Sequence, residues 1–251
     1  MLLFKIFLAP VLIGLVSLAG RKWGPGISGW LLGLPLNSGP ILLFLVLQEG
    51  RPFASAAAVG SLLGIIPWAA FGLVYAYCCT RLPWWSSMLA GWAAYAFVAL
   101  LLLRLHLSLV WSFAMVIAAL AAMLVVFPRP VYSDIRLPRR RYELWLRMIT
   151  ATAMVVTLTA VAKALGPLRS GILSAFPAYT TILAVFNHQH SAASAVLVLR
   201  GVTMGLFTAA TFFLVLSTSL VRTGSVLSFS LALAAAGVVQ AASLVLVRRH
   251  N

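Results

Sequence analysis

The chain has 251 residues, of which 63% are hydrophobic and 8% are charged, and its mean hydropathy is +1.07. A water-soluble domain normally carries about 25% charged residues, so this composition excludes an ordinary soluble globule and predicts a membrane protein. The net charge is +15 with three acids in all, which leaves too few carboxylates for paired-carboxylate hydrolysis or a caged divalent metal. The adjacent Cys78 and Cys79 lack the spacing of a zinc site or a stabilising disulfide, and neither a metal nor a cofactor is expected.

Apolar stretches close to the roughly 20 residues that cross a bilayer recur along the whole chain. They predict nine membrane-spanning helices, at residues 2–20, 27–48, 53–78, 84–103, 106–127, 144–165, 170–187, 191–217 and 225–247. Runs such as residues 100–103 are apolar on every side, so the backbone has to satisfy its hydrogen bonds helically. The predicted fold class is therefore an all-α polytopic membrane protein.

Basic residues indicate the orientation of these spans. The longest polar connection, residues 128–142, carries five Arg, and short Arg-rich loops stay on the cytoplasmic side. This places the N-terminus outside and the C-terminus in the cytoplasm of a bacterial inner membrane. The same loop could also bind a partner or anionic lipid. Nucleic-acid binding is not expected, because the other Arg residues are spaced between apolar runs rather than gathered on one face.

An internal repeat is visible between residues 24–35 (GPGISGWLLGLP) and 166–177 (GPLRSGILSAFP), which share Gly, Pro and Ser at equivalent positions. It predicts a first four-helix repeat at 1–104, a linking helix and cytoplasmic basic loop at 105–142, and a second four-helix repeat at 143–251. A single helix between the copies inverts the second one, a construction typical of secondary transporters. Residues 1–20 also have the pattern of a signal peptide, but the repeat makes them equivalent to an internal helix and argues against cleavage.

Each copy begins with a Ser-Gly pair, Ser28-Gly29 or Ser170-Gly171, has a Pro about six residues further on, and continues into an Ala- and Gly-rich helix. In this order of features, residues 10–103 and 152–247 resemble the small four-span GlpM-type inner-membrane proteins. The resemblance implies a membrane address and a duplicated fold, and it implies no chemistry. This chain departs from that family by joining two units through an added span.

Pro35 and Pro177 lie well inside predicted spans, where each Pro removes one hydrogen bond and kinks or breaks the helix. Broken helices expose backbone groups, which transporters use together with nearby polar side chains to bind substrate and ions. The candidate substrate-binding residues are Arg200, Ser28, Asn37, Ser38, Ser170, Thr180 and Thr181. The alternative is a packing kink, in which Ser and Thr bond back to their own helix.

Arg200 follows the polar corner 187–190 by ten residues, which places it about 15 Å deep, near the middle of the bilayer. A charge at that depth is costly, and no acid lies within a predicted span to pair with it. The missing counter-ion is then expected to be the ligand, because a guanidinium suits carboxylate or phosphate. Arg200 could instead cap the carbonyls of a broken helix, or it could lie nearer the surface in a misplaced span.

The two equivalent corners carry titratable residues, His188 and His190 in one copy and Glu49 in the other. They are candidates for proton coupling, or they are solvated loop residues. No enzyme is expected, because no nucleophile–His–Asp order, phosphate-binding loop or metalloprotease motif is present.

The sequence favours a secondary transporter that moves an anionic substrate, organic or phosphate-bearing, by alternating access, with a lipid-phosphate flippase as a variant. The alternative is a non-transporting scaffold or subunit of an envelope or polysaccharide assembly. The expected partners are the lipid bilayer and the anion, and either a monomer or a homodimer is compatible with the sequence.

Overall fold

In a computed structural model of the chain, the structure describes residues 2–35, 38–105, 108–129, 141–164 and 176–248, which form helices joined by short turns. The helices are α1 (Leu2–Trp23), α2 (Pro25–Leu32), α3 (Ser38–Glu49), α4 (Arg51–Leu63), α5 (Ile65–Cys78), α6 (Trp84–Leu102), α7 (Leu109–Val126), α8 (Arg141–Ala164), α9 (Ala178–His188), α10 (Ala192–Thr223) and α11 (Ser225–Arg248). These ranges contain no strand, in agreement with the predicted all-α class.

Five helices of the described part are long and apolar enough to cross a membrane. They are Arg51–Cys78, Trp84–Leu102, Leu109–Val126, Ala192–Thr223 and Ser225–Leu244. The first of these combines α4 and α5, because Gly64 between them has helical backbone angles. The protein is therefore a helical membrane protein, as predicted, but the predicted count of nine spans is not reached.

The four remaining predicted spans, the first, second, sixth and seventh, are not among these five candidates. The second is divided into α2 and α3, of 8 and 12 residues, each too short to cross a bilayer alone. The seventh is represented by the 11 residues of α9, since residues 170–175 lie outside the described part. The first and the sixth coincide with α1 and α8.

The helix ends gather at two opposite ends of the bundle. At the proximal end, defined by residues 23–25, 78–84, 126–129, 141 and 188–192, side-chain contacts join the turns to one another. The Tyr75 hydroxyl lies 3.2 Å from Nδ1 of His188, and the Cys79 thiol lies 3.8 Å from the carbonyl oxygen of Ala192. The distal end comprises residues 49–51, 102–105, 108–109 and 223–225. Polar residues at opposite ends of the bundle are too far apart to contact one another.

Helix α10 is the centre of the bundle. It packs against α2, α4, α5, α7, α9 and α11, and most of its side chains are buried. At its start, the Ser191 hydroxyl accepts a hydrogen bond of 3.0 Å from the backbone N–H of Ser194, a usual helix cap. Helices α7 and α11 lie at the periphery, where only 17% and 22% of their membrane-crossing windows are buried, as expected for helices that face lipid.

Helices α2 and α10 approach so closely that their backbones touch. A Cβ atom placed on Gly29 would lie 1.9 Å from the carbonyl oxygen of Val198, and one placed on Gly205 would lie 2.4 Å from that of Trp30. A Cβ on Gly201 would lie 2.1 Å from another backbone oxygen of α2. Small residues four positions apart permit this close approach in membrane helices. The glycines therefore fix the first half of the broken span against the central helix.

Candidate functional site

Arg200 is the ninth residue of α10, and its side chain is half-buried. Its Nε atom is buried and has no hydrogen-bond partner among the described residues. The ion pairs found in that part of the chain belong to Glu143, not to Arg200. Because α10 continues to Thr223, beyond its predicted end, Arg200 lies about 11 Å from the midpoint of the helix, on the proximal side.

The backbone next to Arg200 lies directly against the broken span. A Cβ on Gly201 would be 3.0 Å from the amide nitrogen of Trp30. Met204, one helical turn along the same face of α10 as Arg200, packs in a cluster with Trp30 and Leu244. Arg200 is thus one turn away from a cluster that joins α2, α10 and α11.

A groove of about 860 Å³ runs between α2, α3, α10 and α11, and we call it the lateral groove. It is lined by Trp30, Leu34, Pro35, Gly39, Pro40, Leu43, Phe44, Phe212, Phe229, Leu233, Ala236, Gly237, Gln240, Ala241 and Leu244. The predicted helix breaker Pro35 lies on its wall, between the end of α2 and the start of α3. The break therefore creates a cavity, and the cavity is almost entirely apolar.

The polar groups of the groove wall are bonded to one another. Gln240 donates from Nε2 to the carbonyl oxygen of Trp30 at 3.3 Å, and its Oε1 accepts from the hydroxyl of Thr208. The indole N–H of Trp30 donates to the hydroxyl of Ser243 at 2.8 Å. Because a helix end leaves carbonyls without partners, Gln240 supplies the bond that the break removes. The groove consequently presents an apolar surface to a ligand.

A second polar group, which we call the proximal cluster, forms around Glu143 in the first turn of α8. The Glu143 carboxylate pairs with the guanidinium of Arg147 and accepts a hydrogen bond of 2.9 Å from Nε2 of His190. Arg147 also donates to the hydroxyl of Ser17 at 3.5 Å, and its guanidinium lies 5.1 Å from the ring centre of Phe186. The cluster joins α1, α8 and α9 to the turn that precedes α10.

The cavity beside this cluster is too small for a substrate. It measures about 10 Å³, which is room for a single water molecule. Its lining consists of Ser17, Gly20, Arg21, Ser28, Glu143, Arg147, Asn187 and His190. Ser28 was a predicted substrate ligand, but its hydroxyl donates to the carbonyl oxygen of Pro25 at 2.7 Å, the back-bonding that the packing alternative describes.

The charge state of Glu143 follows from its partners. Burial by itself raises the pKa of this carboxyl, but the hydrogen bond from His190 and the positive charge of Arg147 outweigh burial. The net effect lowers the pKa of Glu143 below its usual value. The carboxylate therefore stays ionised and keeps the cluster together at neutral pH.

Thr180 and Thr181 accept hydrogen bonds from the indoles of half-buried tryptophans. Nε1 of Trp68 donates to the hydroxyl of Thr180 at 3.0 Å, and Nε1 of Trp92 donates to that of Thr181 at 3.2 Å. The hydroxyl of Thr181 in turn donates to the carbonyl oxygen of Pro177 at 2.8 Å. These contacts hold α9 against α5 and α6, and neither Thr lines the lateral groove.

The remaining predicted site residues are scattered. Ser38 begins α3 next to the break, whereas Asn37 and Ser170 lie outside the described residues. His188 and His190 are both at the proximal end, but Glu49 is exposed at the distal end, the length of α10 away. The structure therefore does not bring the three predicted proton-coupling residues together.

Sequence reasoning did not identify the partners that matter most. Glu143 and Arg147 are four residues apart, a spacing that places them on one helix face and could have indicated the pair. Gln240 had no such signal, since its contact to Trp30 spans 210 positions of the chain.

Within the described ranges, no group of three His, Cys, Asp or Glu residues is placed to hold a metal ion. Comparisons of the chain with protein families, with curated proteins and with solved structures found no match.

Proposed function

We propose that the protein is a secondary membrane transporter that moves an anionic substrate by alternating access. The observation that carries this proposal is Arg200, a half-buried cation with a buried Nε atom that no described residue bonds. A charged side chain within a membrane helix is costly and usually marks a substrate path or a partner. An anion with carboxylate or phosphate oxygens supplies the partner that the described chain lacks.

The break between α2 and α3 supports the same proposal. Transporters use interrupted helices to build a binding site within the bilayer, because irregular backbone is tolerated there only when it lines a cavity or is buried in protein. In this chain the break lines the lateral groove, and α2, its first half, touches the backbone next to Arg200. The cation and the interrupted helix therefore belong to one region of the bundle.

An inverted repeat of residues 1–104 and 143–251 is part of the proposal. Its support is the direction of corresponding helices: α1 ends at the proximal end where α8 begins, and α4–α5 run from the distal to the proximal end while α10 runs back. Similarly, α6 packs on α5 as α11 packs on α10. Two interchangeable halves would give the two mirror conformations of alternating access.

We place the proximal end in the cytoplasm of a bacterial inner membrane, with the N-terminus outside. The support is that α7 ends and α8 begins at the proximal end, and these two helix ends flank the Arg-rich connection in the sequence. Arg21, Lys22 and Arg81 are at the same end. Positive charge in short loops favours the cytoplasmic side.

Flux measurements in proteoliposomes test the function. The wild type should move at least one anion from a set of inorganic phosphate, glycerol phosphate, dicarboxylates and fluorescent anionic phospholipid. Arg200→Gln should reduce that flux by about tenfold or more, because a charged hydrogen bond contributes about 1.5–3 kcal/mol.

Arg222→Gln is the matched control, since Arg222 is an exposed cation near the end of the same helix. Unchanged flux in Arg200→Gln would overturn the role of Arg200. Absence of flux for every anion in the wild type would overturn the transporter and favour a scaffold.

A further inference from the structure

The lateral groove has the length of a lipid chain rather than of a small anion. On α11 its lining extends from Phe229 to Leu244, which corresponds to about 22 Å of helix. One leaflet of a bilayer contributes about half of the roughly 30 Å hydrocarbon core. The groove is therefore long enough to hold a whole acyl chain.

The groove opens sideways, between α3 and α11. Leu43 on α3 and Leu233 on α11 line it and are 43% and 58% exposed, and Gly237 beside them is exposed as well. Helix α11 is one of the membrane-crossing candidates and lies at the periphery of the bundle. In a bilayer, the molecules at such an opening are lipids.

The chemistry of the wall agrees with an acyl chain. Trp30, Phe44, Phe212 and Phe229 contribute aromatic surface, and the polar atoms of Gln240 are already bonded within the protein. Such a wall binds through apolar burial and dispersion, at about 25 cal/mol for each Å² removed from water. It offers an anionic headgroup nothing.

A cation lies beyond the proximal end of the groove. Trp30 and Leu244 form that end together with Met204, and Arg200 is one turn further toward the proximal surface on the same face of α10. Helical side chains lean toward the start of their helix, so the Arg200 side chain is directed toward the membrane surface, where lipid phosphates lie. The molecule thus presents an apolar groove followed by a positive charge.

We infer that the transported substrate is an anionic membrane lipid, with one acyl chain in the lateral groove and its phosphate at Arg200. This inference rests on the proposed function and names the substrate class of the same site. A free phosphate or carboxylate shares the contact to Arg200 but has no use for the groove. Substitutions in the groove wall therefore distinguish a lipid from a soluble anion.

Gly237 provides a groove-filling substitution. A Cβ added to Gly237 would meet no atom within 4 Å, so the backbone has room for a side chain here, and Gly237→Leu adds apolar bulk to the wall of the groove. Gly60 in α4 has equally open space and does not line the groove, which makes Gly60→Leu the matched control. Helicity and thermal stability of both variants verify that they fold.

The first readout is retention of phosphatidylglycerol by the purified full-length protein, measured by native mass spectrometry against phosphatidylcholine. Gly237→Leu should reduce retention of both lipids by about tenfold, the equivalent of losing contact with about two methylene groups. Arg200→Gln should remove the preference for phosphatidylglycerol, and Gly60→Leu should change nothing. Wild-type retention in Gly237→Leu would overturn the groove as the binding site.

The second readout is flux in proteoliposomes, with fluorescent phosphatidylglycerol compared with glycerol phosphate. Lipid movement that Gly237→Leu and Arg200→Gln both reduce supports the inference. Movement of glycerol phosphate that Gly237→Leu leaves intact overturns the inference while the proposed transporter stands. Retention of lipid without movement of any substrate overturns the transporter while the binding site stands.

Discussion

Two arginines in the second half of the chain have opposite surroundings. The Nε atoms of both are buried and unbonded within the described residues. The other guanidinium nitrogens of Arg147 bond to Glu143 and Ser17, whereas Arg200 is half-buried and forms no hydrogen bond or ion pair with a described residue. The charge of Arg147 is neutralised by Glu143 within the protein, whereas the charge of Arg200 is available to a ligand.

This difference separates a structural charge from a functional one. A buried ion pair is only weakly stabilising as a whole, but removing one partner leaves an uncompensated charge and is costly. Removing a cation without a partner leaves no uncompensated charge in the fold, so the substitution should reduce ligand binding rather than the free energy of unfolding. The two arginines should therefore respond to substitution in opposite ways.

The largest effect is expected from Glu143→Ala, which leaves Arg147 buried without its counter-ion. The free energy of unfolding, measured in mixed micelles, should fall by about 3–5 kcal/mol. Glu49→Ala, at an exposed helix end, should stay within about 0.5 kcal/mol of the wild type.

The double variant Glu143→Leu with Arg147→Met tests the same contact from both sides. Because both charges are removed together, it should be markedly more stable than Glu143→Ala. A double variant that loses as much as the single one would show that the pair does more than neutralise charge.

The next largest effect is expected from acidification, which should lower the free energy of unfolding through His188 at the proximal end. Burial lowers the pKa of His188, which lies against the Tyr75 hydroxyl, so the folded protein binds this proton less readily than the unfolded chain. The stability that neutral His188 contributes is present above the unfolded pKa of about 6.5 and is lost as the pH falls below it. Unfolding measured between pH 8 and pH 5 should therefore show a smaller decline in His188→Gln than in the wild type. Equal declines would assign the pH dependence to other groups.

A smaller effect is expected at Thr181, which sequence patterns place in the substrate site and the structure places against Trp92. Thr181→Val leaves the indole N–H without an acceptor and should cost about 1–2 kcal/mol of unfolding free energy. Thr181→Ser retains the hydroxyl and serves as the control. A loss of flux in Thr181→Val at unchanged stability would return this residue to the substrate site.

The smallest change in stability is expected for Arg200→Met, because no described hydrogen bond or ion pair is lost. Its unfolding free energy should stay within about 0.5 kcal/mol of the wild type while its anion flux falls. Destabilisation by several kcal/mol would show that Arg200 is bonded within the protein after all.

The helices themselves were largely predictable from the sequence. Helix α6 spans Trp84–Leu102 against a predicted 84–103, because a membrane helix follows its uninterrupted apolar run. Pro35 likewise indicated the break between α2 and α3, since Pro removes a helical hydrogen bond.

The side-chain partners could not be predicted from the sequence. Ser17 meets Arg147 across 130 positions, and Trp68 meets Thr180 across 112, so the contacts depend on how helices are arranged in space. Local sequence marks Thr180 and Thr181 only as polar residues near a Pro. It does not reveal that tryptophans on α5 and α6 donate hydrogen bonds to the hydroxyls of these two threonines.

The glycine contact between α2 and α10 has a mechanical consequence. At Gly29, Gly201 and Gly205 the two backbones are in direct contact, so a change of side-chain rotamer cannot separate the helices. We therefore expect α2 and α10 to move together as a rigid unit. Helix α3 packs chiefly on α4 instead, and the chain between α2 and α3 is short. Any movement within the broken span therefore requires α3, and not α2, to change its position relative to α10.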